Sequence, residues 1–242
     1  MDKIFIQNKY RLDFTPLFED IEHIFEKNGE VIYHERNTIK VFEWSSHLIN
    51  VKKFAVPHPI NRFVYRYLRK PKCVRALTYA LRLQTLGIPT PEPIGYLVRY
   101  RGIEIAESYL VTLQSPLGRN FYEFDEGGVS GREDIINGLA HFAAEMHDKG
   151  VVHLDFSPGN ILFDKNQLGE WEYTIVDINR MKFAPVSLRE GCANLQRLWG
   201  GLDFLRILAN GYAEARGADP DVVYDTILHY HSQFWRGYNR WY

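Results

Sequence analysis

The sequence predicts an α+β chain of two lobes: a small antiparallel sheet lobe with an embedded helix over residues 1–114, then a helical lobe over 115–242. Three observations predict it. Three runs rich in β-branched and aromatic residues, EVIYHER, TIKVFEW and HLINVKKF, follow in quick succession between residues 30 and 54, with polar residues between them. Two more strand-like runs, IGYLVRY and EIAESYLVTLQ, precede residue 115. Beyond it apolar residues recur at helical spacing, and no linker-like segment divides the halves; the junction is expected near Gln114–Gly118.

Taken in order, TPLFEDIEHIFEKNG reads as a short helix, with Thr15 as N-cap, Pro16 at its first position and Gly29 as its stop. After the three strands a helical stretch is broken at Pro71 and resumes through VRALTYALRLQTLG to Gly87; IPTPEP is an extended connector. In SGREDIINGLAHFAAEMHDKG, Ser130 and Glu133 have capping-box spacing, Ile135, Leu139, Phe142, Ala143 and Met146 form a stripe, and Gly150 closes the helix. Two short strands, NILFD and YTIVDI, flank a turn at Asn166–Gly169. From Ala193 onward, NLQRLWGGLDFLRILANGY and the segment opened by Asp219–Pro220 read as helices.

With 242 residues, 45% of them hydrophobic, the chain can bury a sizeable core, and a charged share of 24% is ordinary for a globular protein. The net charge of −1 argues against a nucleic-acid partner. Two cysteines, Cys73 and Cys192, are too few for a disulfide framework and favour a reducing compartment. The N-terminal residues lack a signal-peptide pattern, and no run approaches the about 18 apolar residues of a membrane span, so a cytoplasmic location is expected. The average hides one asymmetry: between Lys52 and Pro91 there are nine cations and no acid. Two readings stay open, a solvated basic helix face or a surface that meets phosphates, an acidic sugar or anionic lipid.

The chemistry centres on His153-Leu154-Asp155-Phe156-Ser157-Pro158-Gly159-Asn160, between the strongest helix and a short strand. Phosphoryl transfer to a hydroxyl needs a carboxylate at the attacking oxygen and oxygen ligands for Mg²⁺. Asp155 and Asn160, five residues apart, can supply one of each. Asp177, seventeen residues beyond Asn160 at the end of an apolar strand, can supply a second metal ligand. Upstream, Lys52 lies within a strand; turned inward it can pair with the α- and β-phosphates of a nucleotide. His141 and His147 read as packing or capping residues. The C-terminal aromatics Phe234, Trp235, Tyr238, Trp241 and Tyr242 read as helix packing, with a membrane-interface anchor as the second choice.

The pattern HxDxxxxN, a later strand ending in Asp and an upstream strand lysine resembles the protein-kinase-like superfamily. Within it the chain is similar to the bacterial lipopolysaccharide kinases, which phosphorylate heptose or 3-deoxy-octulosonic acid (Kdo). The matching stretches run from about Gly29 to Gly200: GEVIYHERNTIKVF, VKKF, LGIPTPEPIGYL, MHDKGVVHLDFSPGNILF, IVDINRMKF and NLQRLWG. The resemblance implies a bilobal kinase-like fold that binds ATP with Mg²⁺. It makes Asp155 the catalytic base, Asn160 and Asp177 the Mg²⁺ ligands and Lys52 the phosphate-binding lysine, with Lys53 as the register alternative on the opposite strand face. His153 becomes an organiser of the loop, and the backbone of Thr112, Leu113 and Gln114 holds the adenine. The implied acceptor is an anionic sugar or lipopolysaccharide precursor, with a peripheral station at the inner membrane face through the basic stretch 62–75.

Three features depart from the family pattern. Where kinases often carry GxGxxG, residues 29–37 offer the single Gly29, which leaves Arg36 as the candidate phosphate contact. Asp177-Ile178-Asn179 stands in place of Asp-Phe-Gly. No glutamate occurs in the helix after Lys52, so Thr78, Tyr79 or an acid outside that helix must orient the lysine. Two alternatives therefore stay open beside the sugar kinase: a kinase for another small molecule or for protein Ser/Thr, and a pseudokinase used as a binding module or scaffold.

Overall fold

The computed structural model describes residues 2–56, 70–102, 104–125 and 128–236. They divide into two compact units, Met1–Pro116 and Leu117–Tyr242.

The first unit is a six-stranded antiparallel sheet flanked by helices. Strands β1 (Lys3–Ile6), β2 (Glu30–His34), β3 (Thr38–Trp44), β4 (His47–Lys53), β5 (Pro93–Arg101) and β6 (Glu104–Leu113) lie in the order β1-β5-β6-β4-β3-β2. β3 and β4 turn through Ser45 and Ser46 with Trp44 opposite His47, both serines at positive φ (45° and 63°), the backbone of a two-residue hairpin turn whose twist matches the strands. One face of the sheet buries Ile49, Val51, Leu97, Tyr109 and Val111 against Phe14, Leu17 and Phe18 of α1 (Arg11–Glu19) and Ile21 and Phe25 of α2 (Ile21–Lys27). The other face carries Phe54 and Val98, which pack with Cys73 of α3 (Lys72–Thr85). β4 therefore alternates between two cores, and adjacent residues along it meet different partners.

Gly95 lets β1 approach β5: a Cβ there would overlap the Phe5 carbonyl and the Phe18 ring. Gly95→Ala is expected to destabilise the protein by about 1–3 kcal/mol, the range for overpacking a tight site. Urea unfolding checks this, and a midpoint equal to wild type would mean the strand edge yields freely.

The second unit is helical with two small sheets. α4 (Glu133–Asp148) and α6 (Leu202–Arg216) pack together, and α7 (Pro220–Arg236) packs on α6. A three-stranded sheet orders β10 (Trp171–Ile175), β9 (Ile161–Lys165) and β7 (Arg119–Asn120), while β8 (Val151–His153) pairs with β11 (Met181–Phe183). Between α4 and the larger sheet, Tyr173 fits against Gly138, and its hydroxyl donates to the Ile135 carbonyl at 2.8 Å.

Several local expectations need correction. The first helix starts at Arg11 rather than at Thr15, and Pro16 lies inside it. The carbonyl that proline leaves without its helical donor belongs to Leu12, whose side chain is 89% exposed, so water can serve it. Ser130 and Glu133 form no capping box: Gly131, at φ 74°, turns the chain, and Arg132 holds the N-cap position with no side-chain cap. The capping box that does form joins Ser187 and Glu190 at α5 (Leu188–Asn194). The helix expected from Ala193 onward is interrupted. A 3-10 turn, Leu195–Arg197, follows α5, and Gly200 and Gly201 separate it from α6. Gly200, at φ 148°, lies so close to the Phe204 ring that a side chain would collide with it. Asp219 caps α7, its Oδ1 accepting the amides of Asp221 (2.9 Å) and Val222 (3.1 Å).

Candidate functional site

The loop after β8 is closed by a ring of four hydrogen bonds. The Asp155 amide donates to Nδ1 of His153 at 3.1 Å, so that nitrogen carries no proton and Nε2–H donates to the Val176 carbonyl at 3.0 Å. The Val176 amide donates to the Asn160 carbonyl at 2.9 Å, and Nδ2 of Asn160 donates to the Asp155 carbonyl at 2.9 Å. His153 is fully buried, and burial lowers its pKa, which keeps the imidazole in the neutral form that the ring requires. The ring places Asp155, Asn160 and the residue preceding Asp177 together.

The same bonds decide which atoms face outward. Asn160 Nδ2 donates a second time, to Ser157 Oγ at 3.1 Å, which fixes the amide plane; among the described residues its Oδ1 accepts no hydrogen bond. Asp177 has φ 53°, a left-handed conformation that few non-glycine residues adopt, and Asn179 Nδ2 donates to its Oδ1 at 2.5 Å. An amide oxygen and a carboxylate on neighbouring segments suit a hard cation such as Mg²⁺, which takes one or two protein oxygens and keeps room for water and phosphate. No cluster of three or more His, Cys, Asp or Glu occurs among the described residues, so a closed cage of such ligands is not what they offer.

Two arginines flank Asp155, one in contact and one more distant. Nη1 of Arg197 lies 2.5 Å from Oδ1, and Nη1 of Arg180 lies 3.9 Å from Oδ2. Three residues before Arg197, Asn194 donates to the His153 carbonyl at 2.9 Å. Oδ1 of Asn194 accepts from His147 Nε2 (3.1 Å), His147 Nδ1 accepts from the Tyr212 hydroxyl (2.8 Å), and that hydroxyl accepts from Arg216 (3.0 Å). This buried relay connects α4, α5 and α6 to the loop. Asn194 and Arg197 both lie in the stretch NLQRLWG, and their contacts with the loop span about forty residues of chain.

In the first unit, Lys52 and Lys53 separate as alternation requires. Lys53 pairs with Glu107 at 3.0 Å on the α1–α2 face. Lys52 lies on the α3 face, its Nζ 5.4 Å from the centre of the Phe54 ring. α3 contains no acid, and the Thr78 hydroxyl donates within its own helix to Val74 at 2.8 Å. Arg36 is exposed in the β2–β3 turn. Gly29 lies at the other end of β2, where φ 86° and the nearby Phe42 ring exclude a side chain, so its role is to turn the chain out of α2. Of the segment proposed to meet adenine, the Leu113 amide donates to Glu92 (2.8 Å) and the Gln114 amide to Leu48 (2.9 Å), while the Gln114 side chain accepts from Asn50 (2.9 Å). Residues 62–69 of the basic stretch, and Tyr238, Trp241 and Tyr242 of the aromatic cluster, lie outside the described residues. Among those described, no helix is long and apolar enough to cross a membrane.

A search of curated protein sequences finds no match. Among solved structures, one described as WaaP in complex with acyl carrier protein is similar in fold, with a TM-score of 0.64 at 15% identity over 98% of this chain and 100% of that one. A sequence model described as the lipopolysaccharide kinase (Kdo/WaaP) family matches residues 47–203, from β4 through the loop of Asp155 to the start of α6. That match takes in well over half of the chain, so this protein belongs to the lipopolysaccharide kinase (Kdo/WaaP) family and is a kinase.

Proposed function

We propose that the protein moves the γ-phosphoryl group of ATP, with Mg²⁺, onto a hydroxyl of a Kdo or heptose residue in a lipopolysaccharide precursor. The observation that carries this reading is the closed ring around His153, which presents a carboxylate, an oriented amide oxygen and a strained aspartate from one loop system. Asp155 orients the acceptor hydroxyl and accepts its proton as the new O–P bond forms and the bond to ADP breaks. Asn160 and Asp177 hold Mg²⁺, which when bound neutralises charge on the phosphates. In the first unit Lys52 and Arg36 contact phosphates. With the Leu113 and Gln114 amides engaged in the sheet and Thr112 paired with Asn50, the carbonyls of Leu113 and Gln114 are the groups this segment offers to an adenine amine. The anionic acceptor draws on the basic stretch 62–75, which also gives the protein a peripheral place at the cytoplasmic membrane surface.

Thermal denaturation with Mg·ATP tests nucleotide use without knowledge of the acceptor. A ligand at 100 times its Kd stabilises by about 2.7 kcal/mol. The melting temperature is expected to rise with Mg·ATP, and chelation of the metal is expected to reverse most of the rise. A flat response at millimolar Mg·ATP removes this reading.

A further inference from the structure

We propose that Arg197 is a positioning residue for the base: it grips Asp155 through Oδ1 and thereby turns Oδ2 toward the acceptor hydroxyl. This rests on reading Asp155 as the base.

A carboxylate on a short side chain samples several rotamers unless something holds it, and a reacting group misplaced by about 1 Å loses on the order of 10²-fold in rate. The backbone ring fixes the main chain of Asp155 and leaves its side chain to other contacts. Arg197 supplies one, at 2.5 Å from a single oxygen. Its own placement is rigid. Leu195 and Leu198 on either side are fully buried, the Leu198 amide closes the turn onto Leu195 at 3.1 Å, and the Leu198 carbonyl meets His231 at 3.2 Å. The guanidinium lies 5.0 Å from the centre of the Phe234 ring, a contact that a planar cation makes well. The turn is also keyed to the loop, because Asn194 grips the carbonyl of His153, two residues before Asp155. Two anchors three residues apart, at the end of α5 and in the 3-10 turn that follows it, thus set the backbone and the side chain of the same loop. Arg180 cannot do this. At 3.9 Å and about half exposed it is beyond hydrogen-bond reach and screened by water.

The test is steady-state kinetics of wild type, Arg197→Ala, Arg197→Lys and Asp155→Asn with ATP and Kdo–lipid A, joined to crystal structures of wild type and Arg197→Ala. For Arg197→Ala, kcat is expected to fall about 10²-fold with KM for ATP unchanged, and added guanidinium is expected to restore about tenfold of the loss in a saturable way. Arg197→Lys, which keeps the charge without the fork, should fall between. In the crystal the Asp155 carboxylate of Arg197→Ala should leave its wild-type rotamer. If Arg197→Ala does not fold, Arg197→Lys carries the same comparison; if Kdo–lipid A is not turned over, the rotamer decides. Arg197→Ala with wild-type kcat while Asp155→Asn is inactive overturns the inference alone, as does an unmoved Asp155 in its crystal. Wild-type turnover by Asp155→Asn instead overturns the reading of Asp155 as the base.

Discussion

Asp155→Asn is expected to lower kcat for phosphoryl transfer by about 10²- to 10⁴-fold while leaving the fold and the Mg·ATP thermal shift in place. The substitution is nearly isosteric, and the contacts that hold the loop use the backbone of this residue: its amide reaches His153, and its carbonyl accepts from Asn160. Those survive. What is lost is the charge and the oxygen that takes the proton, equivalent to about 3–5 kcal/mol of transition-state stabilisation. The Asn160 amide and Asp177 are untouched, so metal and nucleotide binding should persist. That separation makes the experiment informative, because a misfolded variant would lose both signals. Rates are followed as ADP release with a Kdo–lipid A acceptor, and a variant that turns over at the wild-type rate removes Asp155 from the chemistry.

The two-lobed α+β class was legible because its evidence is local. β2, β3 and β4 each declare themselves by composition, and α4 by its stripe and by Gly150, which ends it at φ 71°. β1 was not legible. It is four residues long with three of them exposed, so it has neither length nor alternation, and it exists because Gly95 lets it lie against β5. The capping box at Ser130 failed for a related reason. Spacing alone cannot show that Gly131 turns the chain before the helix starts, whereas Ser187 and Glu190, at the same spacing, do form the box.

The loop 153–160 could be read from sequence because its residues are near one another in the chain. The groups that act on it could not. Arg197 and Arg180 reach Asp155 from later elements, and Asn194 and His147 meet only because α5 packs beside α4. The helix without an acid was visible in the sequence. That β4 puts Lys53 against Glu107 and Lys52 on the α3 face depends on pairing with β6, which a single strand does not reveal.

Stability is expected to fall by about 3 kcal/mol between pH 6.5 and pH 4 through His147 alone. Burial is the chief cause of its lowered pKa, about 4 against an ordinary 6.5, with Arg216 adding to the effect and Asn194 and Asp148 opposing it. The sign follows from proton binding. Between these two values the unfolded chain binds a proton at this residue and the folded chain does not, so stability is full above 6.5 and declines as pH falls to 4. At 1.36 kcal/mol for each unit the interval amounts to about 3 kcal/mol. His153 and His231, whose pKa values burial also lowers, add in the same direction. The chemical reason is the relay. Nδ1 of His147 must accept from Tyr212 while Nε2 donates to Asn194, and a doubly protonated ring can only donate. Protonation therefore costs the bond that Nδ1 accepts from Tyr212, while Nε2 goes on donating to Asn194, so the relay is broken on its α6 side. Urea midpoints measured from pH 4 to 7 check this. His147→Gln should be less stable at pH 7 and show a shallower decline, whereas a variant as steep as wild type would assign the acid sensitivity to other groups.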